Sequence, residues 1–340
     1  MSRAQRIGIG VVVSVAGVGL LIWQIRRAGP DAIASSLSQV GWGFLTILFL
    51  SFVRFALRSF AWTTLMSGRA TLGSAIGATL AGDAIGNLTP LSLLVSEPAK
   101  SFYVRDHVPV GESFPALTAE NFFYSVSVAI FIILGTAAMF EAFAVPPQLR
   151  WAGLIALGLM AAIIAGALWI GWREPALFST TLARIPLRAA ATVVERVRRF
   201  ESTTYAVLRS GRRTPGVLAA VIACEAGFHV VSFAEAYYAI WLITGRSAPL
   251  AAFVFDTFNR IVNVVFRAMP LRIGVDEAST ALVAPAIGFS PAVGVTIALI
   301  RKGRMLAWAA VGIALAVRKG LTVKDVVATG NTIGSDAGRR

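Results

Sequence analysis

Pro90-Leu-Ser-Leu-Leu-Val-Ser-Glu97 and Pro270-Leu-Arg-Ile-Gly-Val-Asp-Glu277 agree at four of eight positions (Pro, Leu, Val, Glu) across a separation of 180 residues. Each octet sits in a stretch that is only moderately apolar, Thr71–His107 and Pro249–Gly288, and breaks it near the middle with Pro and polar residues. A plain membrane span does not look like this, because Pro removes a backbone donor and clashes with the preceding turn. Each octet also follows one long apolar block by a similar interval and precedes another. The chain thus reads as two copies of one unit, span, broken segment, span: Gly43–Phe140 and Pro215–Val317. If each broken segment enters and leaves on one side, the second copy is inverted relative to the first, and the site lies near the midplane between them. Broken backbone at that depth is tolerated only where protein buries it or water lines it.

The unbroken blocks are Ile7–Ile25, Gly43–Met66, Phe114–Phe140, Trp151–Trp172, Pro215–Ile243 and Ala292–Val317. About 20 helical residues cross a bilayer core, so each block is a candidate span. The expected fold is an all-α polytopic membrane protein, a single membrane domain of six transmembrane helices plus two re-entrant helical hairpins in an inverted repeat. Composition agrees: 56% of residues are hydrophobic and 14% charged, against about a quarter charged in water-soluble domains. Trp23, Trp42, Trp62, Trp151, Trp172 and Trp241 lie near block ends, as an interfacial belt would place them. Ile7–Ile25 follows Arg3 and Arg6 but is succeeded by Arg26 and Arg27 without a small-residue cleavage site, so it reads as an uncleaved span.

The net charge of +14 sits mostly in loops beside spans. Cytoplasmic orientation by Lys and Arg produces that pattern, and nucleic acid is not the implied partner. The connection Arg173–Arg213 holds nine Arg against Glu174, Glu195 and Glu201 and is expected in the cytoplasm. Its apolar positions Ile185, Val193, Val197 and Phe200 suit surface helices lying along the headgroups. Counting spans outward puts both termini in the cytoplasm, with Arg26 and Arg27 as an exception. The lone Cys224 forms no intramolecular disulfide, and no Cys/His spacing suggests a metal or other cofactor.

Ionisable residues within spans are costly and mark a partner, an interior or a pathway. Arg54 and Arg58 are one turn apart and suit either a lipid phosphate or an ion pair with Glu225 or Glu235. Glu97 and Glu277 each follow a helix-breaking Pro by seven residues, in limbs whose N-termini favour an anionic headgroup; each Glu either serves that site or locks its hairpin through Lys100 or Arg272. Arg301, Lys302 and Arg304 interrupt the last block too deeply for all three to reach the interface. Arg301 is the leading phosphate ligand, with Glu277 as its rival partner, and Glu120 and Asn121 stand at the equivalent place in the first copy. Asn87, Asn263 and Arg267 complete the polar hairpin positions, while Asp256, Asn259 and Arg260 make the same limb unusually polar. Glu225 and His229, four apart, suit a hydrogen-bonded pair or a proton relay. Neither a Gly-x-Ser-x-Gly elbow nor a Walker loop occurs, so neither nucleophilic catalysis nor ATP hydrolysis is indicated.

The octets and the residues around them resemble the transmembrane region of bacterial lysylphosphatidylglycerol synthases and their stand-alone, flippase-like relatives. That family pattern has a Pro and a Gly-Glu pair in the first hairpin and a Glu early in the next span, matched by Pro90, Glu97 and Glu120. It continues with Pro, Gly-Val-x-Glu and a later Arg, matched by Pro270, Gly274, Val275, Glu277 and Arg301. Ser96 replaces the usual Gly, and Ala99-Lys100 stands where Arg-Ala is common. The full-length synthases carry a soluble aminoacyl-transfer domain after the membrane part, whereas the last apolar block here ends at Val317 of 340 residues. The resemblance implies a bacterial inner-membrane protein that moves an anionic phospholipid or lipid-linked phosphate between leaflets, downhill or coupled to an ion. A lipid-modifying enzyme using Glu97 or Glu277 as base, or a non-transporting scaffold that recruits lipid-biosynthetic enzymes through Arg173–Arg213, are the alternatives, and a homodimer or such an enzyme is a possible partner.

Overall fold

The computed structural model describes residues 26, 30–88, 92–183, 190–266, 272 and 274–320. Every regular element among them is helical: α1 (Pro30–Val40), α2 (Gly43–Leu65), α3 (Leu72–Leu88), α4 (Ser92–Tyr103), α5 (Val110–Ala142), α6 (Pro147–Arg173), α7 (Leu177–Ala183), α8 (Ala190–Arg213), α9 (Pro215–Thr244), α10 (Pro249–Val265), α11 (Val275–Val283) with a 3-10 turn at Ala284–Ile287, and α12 (Pro291–Arg318). Four of them, α2, α5, α6 and α9, are long and apolar enough to cross a membrane. The protein is an all-α polytopic membrane protein. Helix α12, 28 residues long, is about 42 Å at 1.5 Å per residue, but Arg301, Lys302 and Arg304 interrupt its apolar run. The expected span Ile7–Ile25 and the octet residues Pro90 and Pro270 lie outside the described residues, as do Arg267 and Ile185.

Helices α2 and α9 form the centre and run antiparallel. Gly43 at the start of α2 meets Leu242 near the end of α9, and Leu57 meets Gly227. The pair is closed at each end by a hydrophobic cluster. One gathers Trp62, Leu65, Ala78, Val104, Leu117 and Val221; the other gathers Ile47, Met139, Ile240, Phe255, Val283 and Ile300. Arg54 and Arg58 on α2 fall between Ile47 and Trp62, and Glu225 to Glu235 on α9 fall between Val221 and Ile240. A charged layer is therefore held at mid-helix between two apolar ones.

The helix pairs α3/α4 and α10/α11 pack around this centre, and α12 packs against α3 and α11. Two glycines permit that approach. A Cβ at Gly312 would stand 2.2 Å from the Leu80 carbonyl oxygen on α3, and one at Gly294 would stand 2.4 Å from the Thr280 carbonyl oxygen on α11. Backbone atoms cannot move aside as a side-chain tip can, so only glycine fits at either point.

Two expectations need correction. Trp62 is 1% exposed and donates its indole N–H to the Ser113 carbonyl at 3.1 Å; it is a core residue, whereas Trp42 and Trp172 are each 87% exposed. The apolar face of α8 also does not simply lie along headgroups. Phe200 packs on Phe114 with ring centroids 5.2 Å apart, and Leu208 is buried in the cluster around Trp62. Glu201 on the same face caps α7, accepting from the Phe178 and Ser179 backbone N–H groups at 2.7 and 3.3 Å and from Ser179 Oγ at 2.6 Å. Outside the spans, Lys319 donates to Asp106 at 2.8 Å, and that bond holds the Asp106 carboxyl below the usual carboxylate range.

Gly312→Val should lower the thermal midpoint of the detergent-purified protein, since overpacking costs about 1–3 kcal/mol where neighbours can yield and here they are backbone. Gly158→Val, with nothing within 4 Å, should leave the midpoint unchanged.

Candidate functional site

The mid-helix layer is a connected set of ion pairs. Arg58 grips Glu120 on α5 with two parallel bonds, Nε to Oε1 at 2.8 Å and Nη2 to Oε2 at 2.7 Å, and Nη2 also donates to Asn121 Oδ1 at 3.0 Å. The planar guanidinium suits such a fork, and it lies 4.0 Å from the Tyr124 ring centroid. Arg54 reaches Glu235 on α9 at 3.1 Å, and Arg304 on α12 pairs with the other oxygen of the same carboxylate. Glu235 thus ties α2, α9 and α12 together. Neither Arg on α2 pairs with Glu225.

On α4, Lys100 is 3% exposed and stands 2.8 Å from Asp83 on α3 and 3.1 Å from Glu97. The other Glu97 oxygen accepts from Asn121 Nδ2 at 2.8 Å. Lys100 therefore clamps the α3/α4 pair, and Asn121 links that clamp to Arg58. In the second pair, Arg272 approaches Asp276 at 3.4 Å, and Lys302 on α12 stands 3.1 Å from Asp276 and 3.6 Å from Glu277. Glu277 is fully buried, and its second oxygen accepts the Gly274 N–H at 2.7 Å, stapling the start of α11. Gly274 has φ +82°, a conformation glycine adopts without steric cost. Asp256 and Arg260 pair at 3.0 Å on α10, and Ser232 donates to Asp256 at 3.1 Å.

These side chains surround two adjoining polar cavities of about 210 and 300 Å³. Arg54, Arg58, Asp83, Asn87, Tyr124, Asn259, Asn263 and Arg272 line both. Arg301, Lys302 and Arg304 line the first; Glu97, Lys100 and Asn121 line the second. Glu120 and Glu277 stand behind the lining as partners. Of the expected site residues, only Pro90, Arg267 and Pro270 fall outside the described set.

Arg301 differs from the rest. Both of its Nη atoms are buried, and neither has a hydrogen-bond partner among the described residues. The expected alternative, a pair with Glu277, is not formed: Lys302, one residue on, stands 3.6 Å from Glu277 Oε1, an oxygen that accepts no hydrogen bond from the described residues. Around the cavities, the described cations are Arg54, Arg58, Lys100, Arg260, Arg272, Arg301, Lys302 and Arg304. The carboxylates are Asp83, Glu97, Glu120, Glu235, Asp256, Asp276 and Glu277. Among the described residues, Arg301 is the cation of this set whose Nη atoms have no hydrogen-bonded partner.

A family model described as the lysylphosphatidylglycerol synthase TM region matches residues 7–313. The chain belongs to that family. The match covers every element of the charged layer, from Arg54 to Arg304, so the cavity is built wholly from the family's membrane region. No curated protein and no solved structure matches the chain.

Sequence reasoning overlooked Asp83, Tyr124 and the bridging role of Glu235. Asp83 was detectable as a lone acid in an apolar helix, and Tyr124 lies one turn from Glu120. Glu225 and His229 are joined through Ser127 rather than to each other: Ser127 Oγ donates to Glu225 at 3.0 Å and lies 3.0 Å from His229 Nε2.

Removing one partner of a buried pair leaves an uncompensated charge and costs about 3–5 kcal/mol. Glu120→Ala should therefore lower the midpoint of thermal unfolding sharply, and Arg58→Met with Glu120→Gln should recover much of the loss. A double variant no more stable than Glu120→Ala would show that the Arg58–Glu120 pair does not couple these helices.

Proposed function

We propose that this protein moves an anionic phospholipid or lipid-linked phosphate between the leaflets of the bacterial inner membrane, with Arg301 as the headgroup's principal ligand. Membership of a lysylphosphatidylglycerol synthase membrane-region family supports a lipid transporter rather than a catalytic domain. The observation that carries the site is the buried pair of Arg301 Nη atoms, without a hydrogen-bond partner among the described residues, in a cavity whose other cations already have carboxylates. A phosphate would supply the missing charge and the paired acceptors that a guanidinium matches. Asn87, Asn259 and Asn263 offer neutral hydrogen bonds beside it.

In this reading the architecture is six spans plus two re-entrant hairpins, Thr71–His107 and Pro249–Gly288, in an inverted repeat of Gly43–Phe140 and Pro215–Val317. Three features support it. The corresponding helices α2 and α9 pack antiparallel at the centre. Helix α3 packs on α12, the last span of the other unit, and α10 packs on α5 in the same crossed sense. The charged pairs also recur with sign reversed, a cation on α2 with an acid on α5 and an acid on α9 with a cation on α12. Both termini and Arg173–Arg213 then lie in the cytoplasm.

Arg301 forms no ion pair within hydrogen-bonding distance among the described residues, so Arg301→Met should fold normally. In proteoliposomes it should move fluorescent phosphatidylglycerol at least about tenfold more slowly, in line with the roughly 1.5–3 kcal/mol of a charged hydrogen bond. Arg301→Lys, a point charge without the fork, should recover only part of the rate. Wild-type movement by folded Arg301→Met would remove Arg301 from the site.

For orientation, single cysteines in Arg173–Arg213 should resist impermeant thiol reagents in intact cells, after removal of Cys224, while cysteines between Phe140 and Trp151 label. External labelling of the basic connection would overturn the topology.

A further inference from the structure

A groove of about 1530 Å³ opens between α5, α6, α9 and the start of α10. Leu134, Trp172, Ile222 and Val230 on its rim are exposed and belong to three of the helices apolar enough to span, so the groove faces hydrocarbon. Its lining is apolar except where Ser127, Glu225 and His229 meet. Glu225 and His229 are only 4% and 9% exposed, and Glu225 Oε1 and His229 Nδ1 have no hydrogen-bond partner among the described residues. Buried polar atoms left in this way retain unused hydrogen-bonding capacity at the groove's one polar point.

The groove also borders the charged cavity. Phe131 lines the groove and stacks on His229 with centroids 4.9 Å apart. The Arg260 guanidinium, which lines the cavity, lies 4.2 Å from the same ring, and Arg54 lies 4.6 Å from Phe228. One layer of aromatic rings separates the two spaces.

We infer that the groove is the chain-binding track of a glycerolipid whose headgroup enters the cavity, with Phe131 and Phe228 as the lateral gate between them. The inference rests on the lipid-transport reading above. A headgroup drawn into a polar cavity must leave its chains in an apolar environment, since moving methylenes into water is unfavourable. The groove is the apolar surface next to that cavity. Ser127, Glu225 and His229 form the polar part of the groove's lining, and the hydroxyl and ester groups between chain and headgroup would pass beside it. Cation–π contacts from Arg260 and Arg54 tie these rings to the cavity wall.

The test uses phosphatidylglycerol carrying a diazirine in one acyl chain, in vesicles of phosphatidylethanolamine and phosphatidylglycerol. On photolysis, the wild-type protein should be labelled mainly at residues 126–134 and 218–233. Ala226 lines the groove and is exposed, so Ala226→Trp fills it without disturbing the core. That variant should lose labelling and transport at least about fivefold, whereas Ile155→Trp, at an exposed position outside the groove, should change neither. Binding of water-soluble glycerol phosphate to the detergent-purified protein reads the cavity alone; it should survive Ala226→Trp and be lost in Arg301→Met. Label spread evenly over the lipid-facing helices, or wild-type transport by Ala226→Trp, would overturn the groove assignment and leave the cavity reading standing. Focused groove labelling together with normal transport by Arg301→Met would do the reverse.

Discussion

A charge buried among apolar helices has to be neutralised locally, because its surroundings offer it little else, and that requirement organises this protein. Glu235 meets it for two arginines from two helices, Arg58 and Glu120 meet it as a fork between α2 and α5, and Lys100 meets it for two acids across α3 and α4. Each solution joins elements distant in sequence. The apolar clusters at the two ends of α2 and α9 then enclose this layer and limit water's access to it. Buried ion pairs are poor sources of net stability, since desolvation offsets much of their attraction. Their contribution here is geometric: helices that slid past one another would leave charges unpaired.

Against that background the state of Arg301 acquires meaning. Its guanidinium lies in the same charged layer, and its Nη atoms have no hydrogen-bond partner among the described residues, which is why the proposed site is centred on it. Lys302 and Arg304, its neighbours on α12, are already engaged with Asp276, Glu277 and Glu235. The helix therefore uses two of its three charges to fix its own position and presents the third. The same division runs through the first helix pair, where Lys100 holds Asp83 and Glu97 in place while Asn87 lines the cavity beside them.

Close backbone contact complements the charge network. Gly312 and Gly294 let α12 lie directly on α3 and α11, so the helix that carries Arg301 is positioned by one partner from each broken segment. Placing the cavity at this junction means that a relative shift of either helix pair alters the surroundings of Arg301. The apolar groove lies on the far side of Phe131 from this cavity, and in the reading proposed above it is the side through which a long-chain ligand reaches Arg301.

The membrane class, the helical fold and the positions of the long helices were legible in the sequence because they follow from local quantities, apolar run length and Pro placement, although α5 and α6 each begin four residues before the expected block. Gly43–Met66 and Pro215–Ile243, read as blocks, became α2 and α9 within one residue at each end. Most candidate site residues were legible for a related reason, that an Arg or Glu inside an apolar run has few structural excuses. Which charge answers which was not. Arg301 and Lys302 are adjacent, equally basic, and within reach of the same acids by any reading of spacing. Only the packing of α11 on α12 turned Lys302 toward Glu277 and left Arg301 facing the cavity. Trp62 likewise looks interfacial by position, and only the neighbouring helices bury it. Apolar pattern is a property of a segment, whereas electrostatic partnership depends on distances of a few ångströms between segments, and those distances exist only once the helices have packed.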